Sequence, residues 1–160
     1  MPYAIGVLLL GGLVLVAAGC FSFGGKLKTP QVKMIADERL NCRNGESLDV
    51  VKVRLYLLTQ DTEFLTGSYD ELWVEDQLKD SEARVGRAEI TVTADSKSTL
   101  QIPPDPGKEA QADTARYVGI LAGYYDPLGE EWKQLVTIDP GKAKVSVELG
   151  CRGLSGARAK

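Results

Sequence analysis

The chain has 160 residues, 19 of them Lys or Arg and 22 Asp or Glu, for a net charge of −3, and it contains no histidine. So mild a balance, with both signs interspersed and no basic stripe, argues against a nucleic-acid partner. Without histidine, Ser-His-Asp and Cys-His nucleophiles and nearly all zinc sets fall away together, so the expectation is no enzyme, no cofactor, no metal and no small-molecule substrate.

The first element is an uncharged apolar run from Tyr3 to Ala18 that closes on Val16-Ala17-Ala18-Gly19-Cys20. Small side chains just upstream of a cysteine are what a peptidase needs to cut beside a lipid-modified thiol. Residues 1–19 therefore read as a bacterial lipoprotein signal peptide, with Cys20 as the lipidation site. Each buried CH₂ of an acyl chain contributes about 0.8 kcal/mol, so two or three chains hold a protein firmly on a membrane it does not cross. Phe21, not Asp, follows the cysteine, which resembles the sorting pattern for the outer membrane. A retained spanning helix is the competing reading, since Tyr3 to Phe23 approaches the roughly 20 residues a bilayer requires. Gly6, Gly11, Gly12 and a cysteine at the end of the run count against it. Residues 20–30 form a tether: at about 3.5 Å per residue, Phe21 to Pro30 reaches at most about 35 Å.

Residues 31–152 are long enough for one compact domain with its own core. Val32 to Leu40 opens it as a strand. In Val50 to Leu58, Val51, Val53, Leu55 and Leu57 alternate with Lys52 and Arg54, the pattern of a half-buried strand. Asp61 to Arg84 departs from β: Ser68-Tyr69-Asp70-Glu71 fits a capping box, and Tyr69, Leu72 and Trp73 share one helical face, with Trp73 as an anchor to the domain. Ala88, Ile90, Val92 and Ala94 alternate again, and Leu100 with Ile102 mark a short strand before Pro103. Gln101 to Arg116, with Pro103, Pro104 and Pro106, reads as a connection, with a second contact surface as the alternative. Tyr117 to Tyr125 is apolar on both faces, with Gly119 and Gly123 keeping one face thin, as in a central strand covered on both sides.

Trp132 to Ile138 and Ala143 to Leu149 are joined by Asp139-Pro140-Gly141-Lys142, whose Pro and Gly suit a type II turn in a hairpin. Residues 153–160 read as a flexible C-terminal tail. About seven short strands with Gly/Pro turns, interrupted by a helical insertion between the second and third, predict a mainly β, two-layer sandwich. The acid pairs Asp70/Glu71, Glu75/Asp76 and Glu130/Glu131 read as solvated surface or helix first-turn charges, because adjacent residues do not face one another on a helix.

With Cys20 acylated, Cys42 and Cys151 remain as an even pair in an oxidising compartment. A bridge between them would close a loop of about 110 residues, nominally contributing about 4 to 5 kcal/mol. Two free thiols too far apart to meet is the alternative.

The order of these features resembles the outer-membrane lipoprotein of the type VI secretion system, the TssJ family. The resemblance is carried by the lipidated cysteine and tether, Leu40-Asn41, the Val50–Leu58 strand, Phe64, Tyr69 to Trp73, the Tyr117–Tyr125 strand and Trp132. It implies a transthyretin-like two-sheet β-sandwich with a short helical insertion, and a structural part in place of a catalyst. Its expected partner is the periplasmic region of a TssM-type inner-membrane protein, reached from the outer membrane through the lipid anchor. The family's docking loop maps to Asn41, Cys42, Arg43, Asn44, Gly45, Glu46 and Ser47. The family commonly has Pro-Asp after the asparagine, where this chain has Cys42-Arg43. The rival function is another periplasmic lipoprotein of sandwich fold, a pilotin-like chaperone or a glycan-binding module using Tyr124, Tyr125 and Trp132 on an exposed face.

Overall fold

The computed structural model describes residues 29–140 and 144–160. The signal segment, Cys20, nearly all of the tether, and Gly141 with Lys142 of the expected turn lie outside the described residues.

Among the described residues, eight strands form two four-stranded sheets. In the first, β4 (Lys97–Gln101), β1 (Gln31–Ala36), β7 (Lys144–Leu149) and β8 (Leu154–Ala159) lie side by side; in the second the order is β3 (Arg84–Thr93), β2 (Val50–Leu58), β5 (Tyr117–Ala122), β6 (Lys133–Thr137). The β1–β7 pair is parallel, and the other pairs are antiparallel. This is the mainly β two-sheet sandwich expected, with β2 matching the predicted bounds and the insertion between β2 and β3. Val32, Met34, Val53, Leu55, Val118, Ile120, Val147 and Leu149 are buried between the layers.

The insertion covers the outer face of the second sheet. It consists of α1 (Thr62–Thr66), a π-type turn over Asp70–Val74 and a 3-10 turn over Gln77–Lys79. Phe64, Leu72 and Leu78 are buried in the same core as Tyr56 and Leu58 of β2, so those strand positions lie apolar-side down on both faces. A Cβ on Gly119 would sit 2.6 Å from the Phe64 ring, and one on Gly123 would collide with Trp73. Both glycines thus leave room for aromatic rings against β5 and the residue just after it, the thin face anticipated from the sequence. Trp73 is the anchor it was expected to be.

The capping box is present. The Ser68 N–H donates to Glu71 Oε2 (2.8 Å), and the Glu71 N–H donates to Ser68 Oγ (3.3 Å). These bonds to the Ser68 backbone and hydroxyl hold the Glu71 carboxyl below its ordinary 4.5. The folded state therefore binds its proton less readily than the unfolded chain. The cap's contribution is complete above that ordinary value and is lost as pH falls through the lowered one. Thermal melts from about pH 6 to about pH 3 should show part of the acid destabilisation disappear in Glu71→Gln, which does not titrate. An unchanged acid slope would remove the cap from the account.

Asp76 corrects the reading of the acid pairs as solvated. Held at φ +55°, it accepts the Tyr56 hydroxyl (2.6 Å) and pairs with Arg87 (2.7 Å). Arg54 bridges from Glu89 (3.0 Å) to the Trp73 carbonyl (2.7 Å) and stacks 4.3 Å from that indole. Burial first, then the Asp76 bond, raises the Tyr56 phenol well above its usual range. This network locks the insertion to the sheet.

Three further corrections concern connectivity. The expected β6–β7 hairpin does not form: β6 pairs with β5, while β7 runs parallel to β1 in the other layer. A Pro-Gly turn reverses or redirects a chain by local geometry and does not encode which sheet receives the next strand. The expected tail at 153–160 contains β8, paired to β7 through Leu149↔Leu154 and Glu148↔Ser155. Ser155-Gly156-Ala157-Arg158-Ala159 has little strand propensity, so backbone pairing at a sheet edge forms this strand. The opening strand ends at Ala36, short of the predicted Leu40, because the chain bends there toward the loop.

The Pro-rich segment is a connection with a covering task. Pro104 bridges Gly86, the Asp105 N–H donates to Val85 O (2.8 Å), and Lys108 Nζ donates to Arg84 O (2.6 Å). These contacts occupy the outer edge of β3, which would otherwise present unpaired amides.

Candidate functional site

The loop after β1 is a small hairpin. Arg43 and Glu46 exchange both backbone bonds (2.8 and 2.9 Å) around Asn44 (φ +51°) and Gly45 (φ +85°). Positive φ at both central residues is the type I′ turn that Asn-Gly favours, a signal the Asn44-Gly45 dipeptide carries but the sequence reading did not use. Its base is held from several sides. Ser47 Oγ accepts the Leu40 N–H and donates to the Leu40 carbonyl, both at 3.0 Å. Asn41, 8% exposed, donates through Nδ2 to Val50 O (2.8 Å) and accepts the Tyr125 N–H on Oδ1 (2.7 Å). The Cys42–Cys151 disulfide is formed, and the Cys42 N–H donates to Cys151 O (2.6 Å).

The seven loop positions named from sequence therefore divide by role. Arg43, Asn44, Gly45 and Glu46 are exposed, while Asn41, Cys42 and Ser47 are turned into the fold and position the tip. Sequence reasoning had not joined Tyr125 to this loop. Its ring is 56% exposed and lies 4.5 Å below the Arg43 guanidinium, so Arg43 is braced and not free to sweep. Tyr125 follows β5, and Arg152, paired to Asp126 (3.1 Å), lies beside the disulfide. One end of the sandwich thus carries the β1–β2, β5–β6 and β7–β8 loops together.

The three aromatics weighed as a ligand platform do not share a face. Tyr124 is buried and donates its hydroxyl to Gly153 O (2.8 Å); burial raises its phenol well above the usual range. Trp132 is buried with its ring edge against Tyr69 at 5.0 Å. Tyr125 alone of the three reaches solvent.

The polarity of the domain follows from β1. The tether enters at Gln31 and the hairpin leaves beyond Ala36, so the two lie at opposite ends, separated by about 20 Å of strand at about 3.3 Å per residue.

Residues 28–152 match the family model described as Type VI secretion lipoprotein, VasD, EvfM, TssJ. No curated protein sequence matches. Among solved structures, the T6SS lipoprotein TssJ1 from Pseudomonas aeruginosa is 22% identical and aligns with a TM-score of 0.65 over 84% of this chain and 98% of that one. Serratia marcescens Lip, described as a membrane bound component of the Type VI Secretion System, is 19% identical with a TM-score of 0.65, over 84% of this chain and 98% of that one. A chain in a structure described as the T6SS protein TssM C-terminal domain from EAEC is 19% identical with a TM-score of 0.64, over 81% of this chain and 97% of that one. At these identities the structures share the fold, and the family match spans most of the sequence: the chain belongs to the type VI secretion lipoprotein family.

Proposed function

We propose that this lipoprotein is held by acyl chains on Cys20 in the periplasmic leaflet of the outer membrane and docks the periplasmic region of a TssM-type inner-membrane protein. The docking element in this reading is the Arg43–Glu46 tip. The observation that carries it is the braced hairpin at the end of the domain opposite the tether, where a partner rising across the periplasm would meet it first. Three structural features support a load-bearing contact: the type I′ turn, the Asn41 clamp and the disulfide all order the tip before binding. Little conformational entropy then remains to be lost on association. The EAEC structure described as a TssM C-terminal domain, which contains a chain of this fold, favours the same partner class.

The test is site-specific crosslinking from Asn44 in living cells. The expected product is a large inner-membrane protein with a periplasmic region, recovered in the outer-membrane fraction. Cys20→Ser should abolish acyl labelling and release the domain from that fraction. If the unacylated chain resists an alkaline wash, a spanning helix replaces the lipid anchor. If Asn44 captures only soluble periplasmic proteins or glycan, the pilotin-like or glycan-binding reading replaces docking.

A further inference from the structure

We infer that the tip is only one part of a three-segment docking face, which seats an apolar strip of the partner bearing a carboxylate opposite Arg43. This rests on the docking reading above and specifies its chemistry.

The first argument is size. A stable protein interface takes about 800 Å² and roughly 20 residues or more from each side. The exposed tip offers Arg43, Asn44, Gly45 and Glu46, far short of that. The second argument is where the missing apolar surface lies. Among the described residues, six large hydrophobic side chains are exposed, and four of them belong to this end: Leu48 (41%), Val50 (44%), Tyr125 (56%) and Leu128 (51%). Leu48 follows the hairpin, Val50 opens β2, and Tyr125 and Leu128 lie in the loop after β5.

Backbone contacts join these segments before any partner arrives. Asn41 ties Val50 to Tyr125 through its two side-chain bonds. The Leu48 N–H donates to Leu40 O (3.1 Å), and the Leu128 N–H donates to Arg152 O (2.9 Å), next to the disulfide. A preordered apolar surface of this kind loses little entropy when covered.

Charge sets the partner's polar feature. Among the described residues Arg43 takes part in no ion pair, and its guanidinium already rests on the Tyr125 ring. A carboxylate approaching over the apolar strip would meet a cation already braced on that ring, and the covering surface would exclude water from the pair, where a charge-assisted bond is strongest. Of the neighbouring cations, Arg152 is engaged by Asp126, and Arg39 donates from its guanidinium to the Gly45 carbonyl of the tip. The occupant is the inner-membrane protein's periplasmic region, since this end of β1 lies away from the point where the tether leaves for the lipid-bearing membrane.

Crosslinkers placed singly at Asn44, Val50 and Leu128 of the full lipoprotein in cells separate the possibilities. The expected result is the same inner-membrane protein captured from all three, with Tyr125→Ala weakening the isolated complex at least tenfold at unchanged melting temperature. Capture from Asn44 alone, with full affinity retained in Tyr125→Ala, overturns the three-segment face and leaves the docking reading standing. Capture of a second copy of this chain from Val50 or Leu128 overturns it as well. Failure at Asn44 together with the other two counts against the docking reading itself.

Discussion

Replacing Cys42 and Cys151 together by serine is expected to destabilise the domain by about 2 to 5 kcal/mol. The bridge joins residues 109 apart in sequence, and a loop that long restricts the unfolded chain strongly. For a domain of this size the melting temperature should fall by about 5 to 15 °C. The fold itself should persist, because the Asn41, Ser47 and Arg43–Glu46 hydrogen bonds of the loop base do not depend on sulfur. Calorimetry of the oxidised protein and the double variant measures the difference. A loss under about 1 kcal/mol would place the effect outside the chain-entropy account and assign the bridge a role in ordering the tip alone.

The second large effect is expected at Phe64. This ring, 1% exposed, lies on the bare face of Gly119 and is the deepest contact that α1 makes with the second sheet. Phe64→Ala should cost about 3 to 5 kcal/mol through lost burial and the cavity left behind. Gly119→Ala should cost about 1 to 3 kcal/mol for the opposite reason, since its methyl would press into the ring. In the double variant the new methyl points into the emptied space, so the two costs should sum to more than the pair together. Urea unfolding of the four proteins closes the cycle. Simple additivity would mean that Phe64 does not rest on Gly119 in solution.

Both effects show what the sequence could convey. Gly119 and Gly123 in an otherwise apolar stretch marked the thin face of a strand covered on both sides, and Phe64 and Trp73 were visible upstream within a helical stretch. Their meeting is a matter of where the insertion folds back, which no local pattern contains. The β1–β2 loop behaves alike: Asn44-Gly45 specifies a tight turn through its own backbone preferences, while the Tyr125 ring beneath Arg43 comes from a segment 82 positions later, brought there by the β2–β5 pairing.

From residue order alone came the strand runs, the helical insertion, the cysteine pair and the family, because alternation, capping and turn chemistry act over a few residues and survive without neighbours. The sheet partners came from packing in three dimensions. The parallel β1–β7 pair sends β6 and β7 to different layers, and β8 exists through the ladder that β7 offers to a stretch of weak propensity. The site follows the same division: the turn is local, but its rigidity and its apolar surroundings arise where three loops distant in sequence are gathered at one end of the sandwich.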